Sequence, residues 1–544
     1  MNRFIEHPTD KTYDIIIIGG GISGAAVAYE AASQGYSVAL VEKGDFGAAT
    51  SSATSKMIHG GLRYLANKEW GLVRESLKER RTLENIAPNL VYPHPFLIPL
   101  YDNISSRNKR LLKIGMIIYD LLSYDKGFTL DRAKSLPLHR SLSREKTLTL
   151  EPVVKEAHLS GALLYYDCTS LNPERLTLAF IKSAVKYGAE VANYAKVEDF
   201  VREAGRVTGV IVRDLLNGNS VTLHGTMVIN CGGPWADILL NIARGAPGSQ
   251  HIHRSEGIHL ITRRPLTQHF AVGGITPTGR ACTLLPWRGH TLVGTTDRAY
   301  DGDPDNYCVT RERIEEYIEE VNAAFGTPNL IQYSDIIYAY GGLRPLIDDE
   351  TKDVFKTSRK YEIFDHEQDG LPGMITVEGG KYTTSRNLAE NVLKRVNQKF
   401  GRKKKSVTAK KYLASCDIRN LNNFVAEMKA AYRDFPESTV DFLARLYGTE
   451  LPKVMELARN SDPLKVQLDA DGEIAAQVAY AICEEMAQTL ADILIRRTGI
   501  GMLGHPGEDV LQTMAEIAAR ELKWDAPRVE REVETARKRL SLPE

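Results

Sequence analysis

Cysteine is scarce in this chain of 544 residues. The six that occur, Cys168, Cys231, Cys282, Cys308, Cys416 and Cys483, are scattered and form no C-x-x-C pair. That excludes a zinc ribbon and a redox dithiol, and it fits a reducing compartment. Excess charge is absent too, because 69 Lys and Arg balance 69 Asp and Glu. A chain so balanced has no global pull toward nucleic acid, and any basic function has to be local. No uninterrupted apolar run approaches the length of a spanning helix, so the protein is expected in solution or on a membrane face. The opening MNRFIEHPTDKTYD lacks a signal-peptide core and carries acids that transit peptides avoid. A D-x-[DN]-x-[DN]-G calcium loop, an internal repeat and low-complexity tracts are all missing. No metal site is expected.

What is present is concentrated near the start. The β-branched run Ile15 to Ile18 reads as a buried parallel strand, and Gly19-x-Gly21-x-x-Gly24 turns it into a helix from Ile22 to Ser33. Gly19 permits the tight turn, Gly21 lets a pyrophosphate approach the backbone, and Gly24 lets helix and strand pack closely. The phosphates would rest on the orphan N–H groups of that helix. A second strand, Ser37 to Val41, ends at Glu42, spaced to accept hydrogen bonds from an adenosine ribose. Thr50, Ser51, Ser52, Thr54, Ser55 and Lys56 follow at once. Such a run suits a loop laid along an extended cofactor, and it equally suits a surface loop.

A length of 544 residues exceeds one core, so two or three domains are expected. Trp70 to Ala87 reads as a helix with charged exposed positions. Glu190 to Cys231 reads as an antiparallel meander, with turns at Gly205 and Asn217-Gly218, returning to the parallel sheet. His259 to Thr262, Thr283 to Leu285 and Thr291 to Gly294 are strand candidates for a second sheet over the cofactor. Gly401 to Lys405 is a hydrophilic linker, and from about residue 406 the pattern is helical throughout.

His59-Gly60-Gly61-Leu62-Arg63-Tyr64 resembles the signature of flavin-dependent glycerol-3-phosphate dehydrogenases, within the wider D-amino-acid-oxidase-like flavoproteins. The resemblance spans nearly the whole chain. It includes Ile229-Asn230-Cys231-Gly232-Gly233-Pro234-Trp235-Ala236-Asp237, Val293-Gly294-Thr295-Thr296-Asp297 and Gly341-Gly342-Leu343-Arg344-Pro345-Leu346. Further on come Val377-Glu378-Gly379-Gly380-Lys381-Tyr382-Thr383-Thr384-Ser385-Arg386 and a late helix ending Arg496-Arg497-Thr498.

The implied fold is mixed α/β, with a Rossmann-like FAD-binding domain interleaved with an antiparallel-sheet substrate domain. The expected FAD-binding pieces are 1–90, 150–240 and 340–400, the substrate pieces 91–149 and 241–339, and 406–544 forms a helical C-terminal domain. The resemblance implies FAD contacts at Gly19, Gly21, Gly24, Glu42, Thr50, Ser51, Ser52, Ser55 and Lys56, with Val197, Gly233, Leu343, Gly380 and Thr383 adding more. It implies substrate contacts at Arg63, Tyr64, His259, Arg344, Arg359 and Lys381.

The implied reaction oxidises sn-glycerol 3-phosphate to dihydroxyacetone phosphate. Arginine suits a phosphate because its fork matches the oxygens and keeps its charge. Arg63, Tyr64 and Arg359 are expected at the phosphate end, with Arg344 and Lys381 polarising the C2 oxygen. His259 and His59 compete as the proton acceptor.

The family's usual electron acceptor is a membrane quinone, which implies a peripheral protein on the cytoplasmic face of the inner membrane. Ser106 to Leu122 sets Arg107, Lys109, Arg110 and Lys113 beside Leu111, Leu112, Ile114, Met116, Ile117 and Ile118. This suits an interfacial helix drawn to anionic lipid, assisted by Arg402 to Lys405, and it equally suits a core-packed helix with a basic outer face. Three alternatives stay open. An oxidase using O2 would keep the substrate, though no inserted segment in the flavin domain is evident. A non-catalytic FAD-binding module would leave a costly cluster of like charges without an anionic ligand. An amine oxidase would have no use for so many cations. A homodimer is compatible with the resemblance.

Overall fold

The computed structural model describes residues 1–65, 67–102, 106–246, 252–347 and 360–544, without the side chains of Ser106 and Arg107. Its first sheet runs in the order Tyr361–Asp365, Met374–Gly379, Ser220–Asn230, Thr12–Ile18, Val38–Val41, Glu190–Ala192. The last five are mutually parallel, and Tyr361–Asp365 joins antiparallel at the edge. The Ile15 to Ile18 run is buried on both faces, and its alternation sorts two layers. Ile15 and Ile17 pack beneath helices Ile22–Ser33, Pro173–Lys186 and Ser385–Lys399. Ile16 and Ile18 face Phe200, Val207, Val210 and Val212 of the antiparallel strands Ala195–Glu203 and Arg206–Asp214. A run apolar at every position is what a two-sided strand requires.

The second sheet has ten strands and is antiparallel except where Ala271–Ile275 meets Tyr92–Tyr101. Near one edge Ile252–Thr262 pairs with His290–Gly294 on one side and with the edge strand Ile336–Ile347 on the other. Beyond residue 406 the described elements are helices and one isolated bridge. They pack on the outer face of this sheet, where Leu285, Trp287, Leu292, Tyr338 and Tyr340 share a core with residues 475–518. The α/β architecture with a helical C-terminal part is therefore as the resemblance implied.

Several local expectations need correction. Leu159–Thr169 and Ile336–Ile347 pair within the second sheet, so the 150–240 and 340–400 pieces do not lie wholly with the first. Strand composition reveals β content but not the hydrogen-bonded partner, and the partner decides membership. The helix Trp70–Ile86 was expected to expose its charges, yet it buries Glu79, Arg80 and Glu84. Glu79 takes both arms of Arg386, at 2.7 and 2.6 Å. In the basic run near 402, Arg402 and Lys404 turn onto the Tyr36 ring, 4.9 and 4.6 Å from its centroid, rather than forming a free linker.

Candidate active site

A cleft of about 2140 Å³ lies between the two sheets. One end is the strand–turn–helix at Gly19. There φ is +104°, and a Cβ would sit 2.5 Å from the Cys231 carbonyl oxygen. A Cβ on Gly24 would lie 1.9 Å from the Gly19 oxygen, so helix and strand approach only because neither residue carries one. The helix N-cap is Gly21, which has no side chain to cover the first-turn amides. This cradle fits a dinucleotide pyrophosphate, held by backbone N–H groups at the positive end of the helix.

Gly19, Gly21, Glu42, Thr50, Ser51, Ser55, Val197, Gly233, Gly380 and Thr383 line the cleft. Glu42 already accepts N–H bonds from Gly20 at 2.6 Å and Gly44 at 2.8 Å, and burial raises its pKa. Ser51 Oγ accepts from the Ile22 amide at 2.9 Å, occupying one helix-end donor. Four expected contacts do not line the cleft. Gly24 acts through packing alone. Ser52 donates to the Gly47 carbonyl at 2.5 Å, and Leu343 offers its carbonyl to Thr50 Oγ1 at 2.6 Å. Lys56 is buried in an ion pair with Glu174 at 2.7 Å, so its ammonium supports the wall from behind.

Arg63, Tyr64, Lys381, Arg344 and His59 also line the cleft. Tyr64 meets two cations, with the Arg63 guanidinium 5.1 Å and the Lys381 ammonium 4.5 Å from its ring centroid. Lys381 also donates to Ser76 Oγ. Burial pushes its pKa down to about 7, with Arg63 adding to the fall and Glu75 and Glu69 opposing it. Arg344 donates to the Glu256 and Thr296 carbonyls, both at 3.1 Å, and to Thr295 Oγ1 at 2.9 Å. A Cβ at Gly257 would strike that guanidinium at 2.0 Å. Arg359 lies outside the described residues.

The two histidines differ sharply. His59 lines the cleft, and its amide donates to Thr383 Oγ1 at 3.3 Å. Burial, with the charges of Lys381, Arg63 and Arg80, pushes its pKa down to about 4 against the pull of Asp167. His259 does not line the cleft. Its ring stacks on Tyr340 at 5.0 Å, its Nε2 meets Ser55 Oγ at 2.8 Å, and its Nδ1 has no hydrogen-bond partner among the described residues. Burial, then Arg344 and Lys56, hold it well below the usual imidazole range. Both imidazoles are neutral near pH 7, but only His59 faces the space where a substrate would lie.

Sequence reasoning missed the network beneath His59. Asp167 accepts from Arg80 at 2.5 Å, from Tyr119 Oη at 2.6 Å and from the Gly60 amide at 3.3 Å. No local signal marks these three residues, which come from a helix, a second helix and a strand. The Val293 to Asp297 motif carried no assigned role, and it proves to hold Arg344.

The far end of the cleft is walled by Asn108, Leu111, Leu112, Ile114, Gly115 and Ile118 of the helix Ser106–Leu122. Met116 and Tyr119 anchor that helix inward, while Leu111, Ile114, Ile117 and Leu121 remain 55, 51, 51 and 67 % exposed. Among the described residues no helix is long and apolar enough to cross a membrane.

Residues 14–386 match the FAD dependent oxidoreductase family, and residues 375–529 match the C-terminal domain of alpha-glycerophosphate oxidase. Glycerol-3-phosphate dehydrogenase 2 of Mycobacterium tuberculosis is 35 % identical over 530 residues, covering 96 % of this chain and 87 % of that protein. The aerobic glycerol-3-phosphate dehydrogenase of Bacillus subtilis is 34 % identical over 516 residues, covering 92 % and 89 %. Among solved structures, the FAD complex of glycerol-3-phosphate dehydrogenase from Bacillus halodurans superposes with a TM-score of 0.78 at 27 % identity, covering 98 % of this chain and 95 % of that one.

Proposed function

The chain belongs to the FAD-dependent glycerol-3-phosphate dehydrogenases, with FAD as its cofactor, and on that premise we propose that it converts sn-glycerol 3-phosphate to dihydroxyacetone phosphate and passes the electrons to a membrane quinone. The observation that carries the substrate reading is the convergence of Arg63, Arg344 and Lys381 on the cleft that the glycine cradle opens into. Three basic side chains lining one space give it a positive field that suits an anionic ligand. Bound FAD supplies the acceptor for the C2 hydride.

Arg63 and Tyr64, with Arg359, hold the phosphate. Arg344, fixed by two carbonyls and Thr295, presents its guanidinium to the C2 oxygen, and Lys381 shares that task. His59 takes the hydroxyl proton. Its position on the cleft wall and its neutral state support this role, whereas His259 acts through Ser55.

The quinone reading rests on the helix Ser106–Leu122. Its exposed apolar residues adjoin Lys109, Arg110 and Lys113, and the same helix walls the cleft. An interfacial helix of this kind sits in the headgroup region of an anionic leaflet, on the cytoplasmic face of the inner membrane. Anaerobic titration tests both halves. Bleaching of the flavin by sn-glycerol 3-phosphate but not by glycerol is expected, then reoxidation by a quinone analogue and not by air. A flavin that stays oxidised removes the dehydrogenase reading, and reoxidation by oxygen alone makes the protein an oxidase.

A further inference from the structure

The segment from Glu42 to Ser55 leaves the second strand, frames the adenosine end of the cleft and continues into its polar wall. Where this segment sits decides how a dinucleotide is held. Asp45 points away from the cleft. Its buried carboxylate accepts Asn193 Nδ2 at 3.0 Å, Arg496 Nε at 2.6 Å, and Arg497 Nη1 and Nη2 at 2.8 and 2.7 Å. The two arginines stand 451 and 452 positions away in the chain. Neighbouring residues on an α-helix diverge. Here the π-helical turn Asp492–Arg497 brings both guanidiniums to one carboxylate.

A second tie runs beside the first. Asp492 pairs with Arg496 and accepts Tyr194 Oη at 2.8 and 3.0 Å, while the Tyr194 amide donates to the Gly44 carbonyl at 2.8 Å. Gly44 and Asp45 therefore both hang from the C-terminal helices. The Gly44 amide in turn holds Glu42, the acid aimed at the ribose. Four directional donors on one buried carboxylate fix an orientation that apolar packing would not.

We propose that Arg496 and Arg497 are positioning residues for FAD, through which the C-terminal helical part retains a cofactor it does not touch. The mechanism is a clamp. Fixing the Asp45 turn holds Glu42 and the Gly20 amide at the geometry the adenosine half requires. The inference rests on the cofactor and is independent of substrate and acceptor. A different tie between the same helices and the rest of the chain provides the contrast. Arg288 pairs with Asp469, Asp471 and Glu473, donates to the Gly499 carbonyl at 2.6 Å, and among the described residues has no hydrogen bond to the Glu42–Ser55 segment.

Holoenzyme diluted into FAD-free buffer reports release as a rise in free-flavin fluorescence, while tryptophan fluorescence follows thermal unfolding. Arg497→Leu is expected to weaken FAD retention about tenfold or more, with Arg497→Lys recovering part of it. Arg288→Leu is expected to lower the melting temperature with FAD retention unchanged. Equal retention in Arg497→Leu and the parent overturns the proposal, as does an equal loss of flavin in Arg288→Leu. Should Arg497→Leu fail to fold, the isosteric Asp45→Asn carries the test, with flavin loss expected and full retention decisive against the clamp.

Discussion

Lys381 is the side chain whose charge the cleft controls most directly. Burial pushes its pKa down to about 7, so it loses its proton as pH rises through neutrality. If its positive charge polarises the C2 oxygen, kcat/KM falls on the alkaline side of about 7. A bound phosphate dianion favours the charged form, so the corresponding limb in kcat moves to higher pH. Arginine keeps its charge, and the alkaline limb is expected to vanish in Lys381→Arg. A limb that survives in that variant assigns it to another group. His59→Asn is expected to lower kcat by about 100- to 10,000-fold, the range of a lost general base, with His259→Asn costing less. Equal losses in single-turnover reduction would mean that Ser55 relays the proton to His259. The motif around His59 was legible because its residues are contiguous. Its depressed pKa was not, because burial and the charges of Lys381 and Arg80 arrive from distant segments.

Legibility at the level of elements follows the same division. Ile22–Ser33 and Ser106–Leu122 have the bounds that their patterns predict, since glycine placement and amphipathic spacing are local properties. Trp70–Ile86 lies where its pattern predicts, but its charged positions do not all face solvent. A charged position normally signals solvent, yet Glu79 and Arg80 are interior because Arg386 and Asp167 neutralise them. The Ser106–Leu122 helix offers the clearest test of the membrane proposal. Ile117 and Leu121 are exposed and stand apart from the cleft wall. Ile117→Glu with Leu121→Glu is expected to abolish sedimentation with anionic vesicles and to slow quinone reduction, while reduction of a soluble dye stays at the parent rate. Vesicle binding that persists in the double variant would move the membrane surface elsewhere.

Across the whole molecule, ion pairs far apart in sequence join the helical C-terminal part to the dinucleotide layer. Glu485 takes both arms of Arg175 at 2.8 Å, together with Lys182 at 3.0 Å. Burial alone would raise its pKa, but Arg175 and Lys182 outweigh that and bring it from 4.5 down to about 2. A depressed carboxylate stabilises the fold above its unfolded pKa, and that contribution is lost as pH falls from 4.5 through about 2. The loss is on the order of 3 kcal/mol. Thermal melts across this window are expected to show a steeper acid decline in the parent than in Glu485→Gln; parallel declines would assign acid sensitivity to other carboxylates. Such pairings were invisible in the sequence, where Arg175 and Glu485 are two unremarkable charges on separate helices.

The cleft is continuous from the Gly19 turn to the wall formed by Ser106–Leu122. On the proposed reaction a water-soluble dianion and a lipid-dissolved acceptor would draw on that one space, and occupancy by the first would then bar the second. Turnover on this plan is an alternation, in which the first product departs before the next guest arrives. Its kinetic signature is a family of parallel lines in double-reciprocal plots, where a ternary complex would make them cross.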